Sequence, residues 1–467
     1  MIDRRVRIEF AYEAGTTLSD SNRPHFARML SECFRILDLL GFYRSHISMT
    51  KLQFLFTKGS SRLWVRPTLL SMAAIAWVIL AYFSSSFLPA AWRVDIEKET
   101  LVNLFTILAS TMLTVATFSV SAVASAFSSV STSGTPRATR IVMSDSAVQS
   151  TLAAFLAAFI YAVVAITALS ALDFHASGRF FLFVGFVVLI GWVLISFLSW
   201  VDRISRLGKL GDTIDRVATA ARGSMSNPEN AGLLEGRSHK EAARPTKGTV
   251  LRFDRFGYVQ HVDMASLQRL AEELEGTIWL DIRPGAWVTK NAPIGLMDFS
   301  KKVEEEKLSQ LLKCFSVGHE RTHDTDPRFA MILLAEIADR ALSPAVNDPG
   351  TGIAVLSVQV ELLHLWAEAD IQSRDPERMK FDRIFVPAIT AEDLLLDAFT
   401  PIARDGAGMI EVSLRMQKSL RAIMHLEHEE LSQAAAAYRE IALELSLQSL
   451  PIESQRKAVA ELAKKPL

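Results

Sequence analysis

The sequence predicts an α-helical membrane protein with four transmembrane helices and a cytoplasmic α+β domain, a small β-unit followed by a helical bundle. Three observations carry this: four long uncharged apolar runs, Lys and Arg gathered at alternate ends of them, and a later change from strand-like to helical patterning. Half of the 467 residues are apolar, and they are clumped rather than spread. A chain of this length is expected to form more than one compact domain.

The runs are Pro67 to Trp92, Leu101 to Phe127, Val148 to Leu172 and Phe180 to Trp200. About 20 helical residues cross ~30 Å of hydrocarbon, so each run is long enough. Soluble cores do not combine four such runs. Lys51, Lys58, Arg62 and Arg66 precede the first; Arg137 and Arg140 separate the second and third; Arg203, Arg206 and Lys209 follow the fourth. The two opposite loops carry Arg93 and Lys98 against Asp95, Glu97 and Glu99, and Arg179 against Asp173 and His175. The positive-inside rule then predicts a multi-pass protein of the inner membrane with both termini in the cytoplasm.

Residues 64–203 form the expected transmembrane domain. Residues 1–63 read as an N-terminal extension, partly disordered. "MIDRRVRIEFAYEAG" lacks the apolar core of a signal peptide; Met49 offers a second start with a normal basic entry into the first span, so residues 1–48 read as either a poorly ordered extension or an over-called start, and His25 to Phe42 is patterned for one amphipathic helix. Cys33 and Cys314 do not make a disulfide framework. A net charge of −1 and the lack of a dense basic run exclude nucleic-acid binding as an expectation.

Residues 204–247 continue as a polar helix, then a linker rich in Gly, Pro, Ser and charge. Residues 248–300 read as a small β-rich unit with strands around Pro284-Gly285. That stretch resembles half of a lipoyl- or biotinyl-type barrel, but the attachment-lysine hairpin of such carriers is absent. Residues 301–467 read as a cytoplasmic helical bundle, with Thr390 and Asp393 set as a capping box.

Between two of these helices lies "RALSPAVNDPGTGIAVL", Arg340 to Leu356. Pro344 disfavours helix at Ser343, and Asp348 before Pro349 is an N-cap followed by proline at the first helical position. Asp339, Arg340, Ser343, Asn347 and Asp348, with Arg321, Asp324, Asp326 and Arg328 upstream, are more polar groups than one turn needs. Buried charges must be paired or bind ions. Two readings stand: an ion-pair and capping network that locks a helical hairpin, or a ligand site at the corner.

These residues resemble the signature of the bacterial membrane-protein family called domain of unknown function 2254. Its pattern falls on Arg321, Thr322, Asp326, Ile337, Ala338, Arg340 through Pro344, Ala345, Asn347, Asp348, Pro349 and Thr351. Glu336 stands where Asp is usual and Gly352 where Ala is usual. The family's Ser-Pro-Arg after the second span stands here as Thr135-Pro136-Arg137. The resemblance extends from about Trp64 to the C-terminus and implies a membrane protein with a cytoplasmic C-terminal domain.

In the second span Ser110, Thr114, Thr117, Ser121, Ser125, Ser128 and Thr132 recur every three or four residues, which puts hydroxyls on one helix face. Such a face lines a water-filled path or packs closely against another helix. Thr135, Pro136, Arg137 and Arg140 mark the cytoplasmic mouth. His319 to His323 fits H-E-x-x-H, but Gly318 before it and Asp324, Asp326 and Pro327 after it point to a loop, whereas zinc ligation by that motif needs a helix. The expected function is a homo-oligomeric channel- or transporter-like assembly for an ion or small solute, in contact with membrane lipid, non-enzymatic, with no cofactor and no metal. The rival readings are a membrane-anchored sensor or scaffold for a protein partner and, remotely, a zinc metalloprotease.

Overall fold

The computed structural model describes residues 65–83, 96–138, 141, 146–204, 209–301 and 303–465, without the side chains of 131–133 and 146–149. The expected N-terminal helix, the Met49 start, Arg140 and the end of the first expected span lie outside the described residues, and so does the side chain of Thr132.

The apolar runs form α1 (Val65–Phe83), α2 (Lys98–Ser133), α3 (Ser146–Ala171) and α4 (Ala176–Ile204). The centre is α3, against which the other three pack. Ala153, Ala154, Ala158, Ala162 and Ala165 of α3 are fully buried; small side chains let neighbouring backbones approach closely. Phe105, Phe155, Tyr161 and Leu182 fill the remaining space. The buried Tyr161 hydroxyl donates to the Leu182 carbonyl at 2.7 Å. Leu69, Met72 and Ile79 of α1, and Val188, Ile195 and Leu198 of α4, point outward.

Beyond α4 come α5 (Leu210–Met225) and the short α6 (Pro228–Ala231), then a β-unit. Its elements are β1 (Arg237–Ser238), β2 (Thr249–Arg252), β3 (Gly257–Val262), α7 (Met264–Glu273), β4 (Gly276–Leu280), β5 (Trp287–Val288), β6 (Pro293–Phe299), α8 (Glu305–Lys313) and β7 (Phe315–Gly318). The bundle follows: α9 (Pro327–Leu342), α10 (Pro349–Ser373), β8 (Ile384–Val386), α11 (Ala391–Asp405), α12 (Ile410–Met424), α13 (Glu429–Ser449) and α14 (Glu453–Lys464).

The strands make two sheets, one in the order β1-β8-β4-β6-β2 and one in the order β5-β3-β7. Strand β8 runs parallel to both β1 and β4. The stretch 248–300 contributes β2 to β6, but β1, β7 and β8 come from either side of it. Strand β8 is three buried residues inside a helical stretch, too short for a period-two pattern to show. It is held by Trp279, whose ring stacks on Phe385 at 3.8 Å between centroids.

Five helices among the described residues are long and apolar enough to cross a membrane: α1 to α4 and α10. In α10, however, Val355, Leu356, Leu362, Leu363 and Trp366 are buried in one core with α5, α9, α11, α12 and α13. Three contacts fix its direction. Arg222 of α5 forks onto Glu361 at 2.6 and 2.9 Å, the Trp366 indole N–H donates to the Ala231 carbonyl at 3.1 Å, and Gly232 lies against Ser373. Along α5 and α6 the partners on α10 advance in the same order, so α5 and α10 run parallel.

Candidate functional site

The polar corner lies at the surface, where the α9–α10 hairpin turns. Pro344 keeps Ser343 out of the helical region, at φ −59° and ψ 149°. The Ser343 hydroxyl donates to the Arg340 carbonyl at 2.7 Å. The Ser343 carbonyl accepts the N–H groups of Val346 and Asn347 at 3.1 and 2.8 Å. Asn347 takes the left-handed region at φ +53°, where a short polar side chain is tolerated best after glycine. The Asp348 carboxylate accepts from the Thr351 N–H at 3.1 Å and the Thr351 hydroxyl at 2.6 Å. Those bonds, the hydroxyl first, hold the Asp348 carboxyl below the usual range. The corner therefore uses most of its polar groups on itself. Pro344, Ala345 and Val346 are exposed, as is Arg340, which has no ion-pair partner among the described residues.

The upstream residues do a different job. Arg321 grips Asp326 with two bonds, at 2.6 and 3.0 Å. Asp326 is 2% exposed and caps α9 by accepting the Phe329 N–H at 3.3 Å. Burial pushes its carboxyl up, and the Arg321 guanidinium opposes that. Gly285, at φ +93°, is pressed against this carboxylate; a Cβ there would stand 2.2 Å from Asp326 Oδ2. Thr322 and Thr325 both donate to the Gln260 carbonyl, at 3.4 and 2.5 Å.

Beside this pair sits Arg283, which the sequence reading did not single out. It is half-buried, and burial lowers its pKa to about 10 while Asp326 and Asp370 oppose the shift. Its guanidinium donates to the carbonyls of Gly232 (2.5 Å), Pro387 (2.8 Å) and Asn230 (2.8 Å). It thereby ties α6, the β-unit and the entry to α11 together. No local signal announces this, because its partners lie 51 to 104 residues away.

Two further pairings involve α9. The Arg404 guanidinium bridges Asp339 at 2.7 Å and its neighbour Asp405 at 2.5 Å. Burial and then the Asp405 carboxylate push the Asp339 carboxyl up to about 6. One turn earlier, Glu336 pairs with Arg137. Arg137 follows the end of α2, where the buried Thr135 hydroxyl accepts the Ala138 N–H at 3.1 Å and Pro136 begins a turn. Gly134 packs on Thr213 of α5. Thr135-Pro136-Arg137 and the α9 residues, some 200 positions apart, thus meet at one ion pair.

In α2 the hydroxyl stripe lies outward. Ser110, Thr114, Thr117, Ser121, Ser125 and Ser128 are all exposed. Leu101, Phe105, Leu108, Met112, Ser119, Val123, Ala126 and Val130 are buried. At 3.6 residues per turn these two sets occupy opposite faces. Thr114, Thr117 and Ser121 donate to carbonyls four residues back, at 2.9, 2.8 and 3.1 Å, and Ser110 to the carbonyl of Ile107 at 3.0 Å. The "HERTH" stretch lies between β7 and α9 without a helical turn, so its two imidazoles are not one turn apart on a helix face.

Residues 60–422 match the family model described as "Predicted membrane protein (DUF2254)". The chain belongs to this family. Similar proteins include uncharacterised proteins of Mycobacterium bovis and Mycobacterium tuberculosis, each 33% identical over 112 residues, covering 21% of this chain and 20% of the relative. The chain thus aligns with about a fifth of the length of the curated relatives it matches. No solved structure matches. Among the departures from the DUF2254 pattern, Glu336 supplies the carboxylate for Arg137, and Gly352 faces Leu342 across the hairpin, 2.9 Å from where its Cβ would be.

Proposed function

We propose that this DUF2254 protein is a non-enzymatic, homo-oligomeric inner-membrane assembly in which α1 to α4 span the bilayer, both termini are cytoplasmic, and the outward face of α2 lines a shared path. The observation that carries the reading is the contrast between outward faces. Those of α1 and α4 present Leu, Ile, Met and Val, as lipid requires, whereas that of α2 carries a line of hydroxyls flanked by the exposed Ile107, Leu113, Phe118 and Val120. A hydroxyl in hydrocarbon has only its own helix to bond. Here the hydrogens of Ser110, Thr114, Thr117 and Ser121 are committed to α2 carbonyls, so the groups left facing outward are oxygen lone pairs and methyls. A path with acceptors and no fixed charge suits a hydrated cation or a small neutral solute.

The Arg137–Glu336 pair joins the end of α2 to the cytoplasmic bundle, so movement of α9 is felt at the mouth of the path. The test is flux into proteoliposomes with Ser121→Cys in a Cys33→Ser background. A charged thiol reagent is expected to modify position 121 and to reduce flux by more than half. Proteoliposomes that pass no ion or small solute, with an unreactive Cys at 121, would sink the reading and favour a sensor or scaffold.

A further inference from the structure

Helix α14 is held to the bundle differently from its neighbours. Helices α12 and α13 each bury a continuous face, through Val412, Met416 and Leu420 on the first and Leu431, Ala435 and Ala442 on the second. Helix α14 buries one side chain, Val459. Isolated helices shorter than about 12–15 residues are marginal in water, and α14 has 12. Its order therefore depends on what it docks against.

The polar part of that docking is a guanidinium. Arg439 of α13 is 7% exposed and has no ion-pair partner among the described residues. Its Nε donates to Gln417 Oε1 at 3.3 Å, and the Gln417 amide donates to the Arg439 carbonyl at 3.2 Å. Its Nη2 donates to the carbonyls of Leu462, at 3.4 Å, and Ala463. These are two of the last four carbonyls of α14, the end of a helix that carries partial negative charge. A buried cation without a carboxylate is thus matched to a helix C-terminus. The connector from α13 to α14 is only Leu450, Pro451 and Ile452, with Leu450 and Ile452 both extended. Short connectors favour exchange of the element they carry between copies of one chain.

We propose that the groove between α12 and α13, with Arg439 at its end, is a docking site for α14 of a second copy, and that this exchange links neighbouring protomers. The occupant fits by construction: every contact that α14 makes within its own chain is repeated in an identical groove, so exchange neither adds nor removes side-chain bonds. Each protomer gives one helix and receives one, the heterologous pattern that closes a ring around a shared axis. The inference rests on the homo-oligomeric part of the reading above, not on the conducting path.

The test combines two full-length chains, co-expressed and purified through two different tags. One carries Arg439→Met, which removes the guanidinium and keeps α14. The other carries Ala460→Pro, which breaks α14 and keeps the groove. Hydrogen exchange over residues 453–464 is read by mass spectrometry, and the two chains differ in mass over that segment. The Arg439→Met chain alone is expected to exchange there about tenfold faster than the wild-type chain, the effect of losing a bond to a charged group, while residues 413–423 of α12 stay protected. In the mixed oligomer, slow exchange should return to part of the α14 population of the Arg439→Met chain, because the groove of the other chain is open to receive it. Mixed oligomers in which α14 stays fast would overturn the exchange alone. So would wild-type protection of α14 in the Arg439→Met chain by itself, since α14 would then be held without Arg439. A chain that is monomeric by light scattering at every concentration would overturn the homo-oligomer together with the exchange.

Discussion

Helices α2 and α10 are both long and apolar enough to cross a bilayer, yet they are built to opposite ends. The apolar window of α10 is 44% buried within the protein and that of α2 only 22%. The buried polar residues of α10 are held by other parts of the bundle, although the Gln359 Oε1 has no partner among the described residues. Gln359 donates to the Met331 carbonyl at 3.0 Å. Asp370 meets His428 at 3.1 Å and Arg374 at 2.7 Å. The outward hydroxyls of Thr114, Thr117 and Ser121 on α2 are bonded along their own helix. Apolar content alone does not tell a span from a core helix. What distinguishes them is whether the polar residues need a second element to be satisfied, because hydrocarbon supplies none.

Removing a buried partner from α10 should break this contrast most severely. Asp370→Ala leaves the His428 ring, 6% exposed, without its carboxylate and the Arg374 guanidinium with Glu430 alone. The loss should be about 3 kcal/mol, read as a lower denaturant midpoint of the detergent-solubilised protein. A change no larger than that of an exposed control such as Glu368→Ala would mean that α10 is not held by its polar partners.

At the corner, Asp348→Ala removes an N-cap that accepts both an N–H and a hydroxyl. The expected cost is about 1 kcal/mol, smaller because the start of α10 is exposed and water replaces the lost acceptor. On α2, by contrast, Ser121→Ala should change stability by no more than about 0.5 kcal/mol, since only an exposed bond to the same helix is lost. A large loss there would show that Ser121 is packed against another element, and would replace the lined path with a packed contact.

Much of this was legible in the chain. The four runs, the stop at Ser343 and the caps at Asp348 and Thr390 are local chemistry, and they sit where local rules put them. The hydroxyl stripe was legible as a stripe but not as an outward one, because a helix's packing face depends on the other helices. Arg283 was invisible for the same reason: its importance comes from three carbonyls gathered from distant segments. Of the polar excess around the corner, the ion-pair and capping reading accounts for Arg321, Asp324, Asp326, Arg328, Asp339, Ser343 and Asp348. The side chains of Arg340 and Asn347 are left over among the described residues.

The smallest effect concerns Asp339, whose carboxyl burial and the neighbouring Asp405 raise to about 6. A carboxyl with a folded pKa above its unfolded value binds its proton more tightly when folded. Its stabilisation is therefore present at low pH and is lost as pH rises from about 4 through about 6. Asp339→Asn mimics the protonated side chain at every pH. The variant should match the wild-type protein in Tm near pH 4 and exceed it slightly above pH 6, by a margin kept small because Asp339 is partly exposed and Arg404 offsets its charge. A margin that is flat between pH 4 and pH 7, or that grows toward acid, would show that Asp339 titrates like an ordinary surface carboxylate. The α9 face next to the Glu336–Arg137 pair would then carry no proton-dependent element.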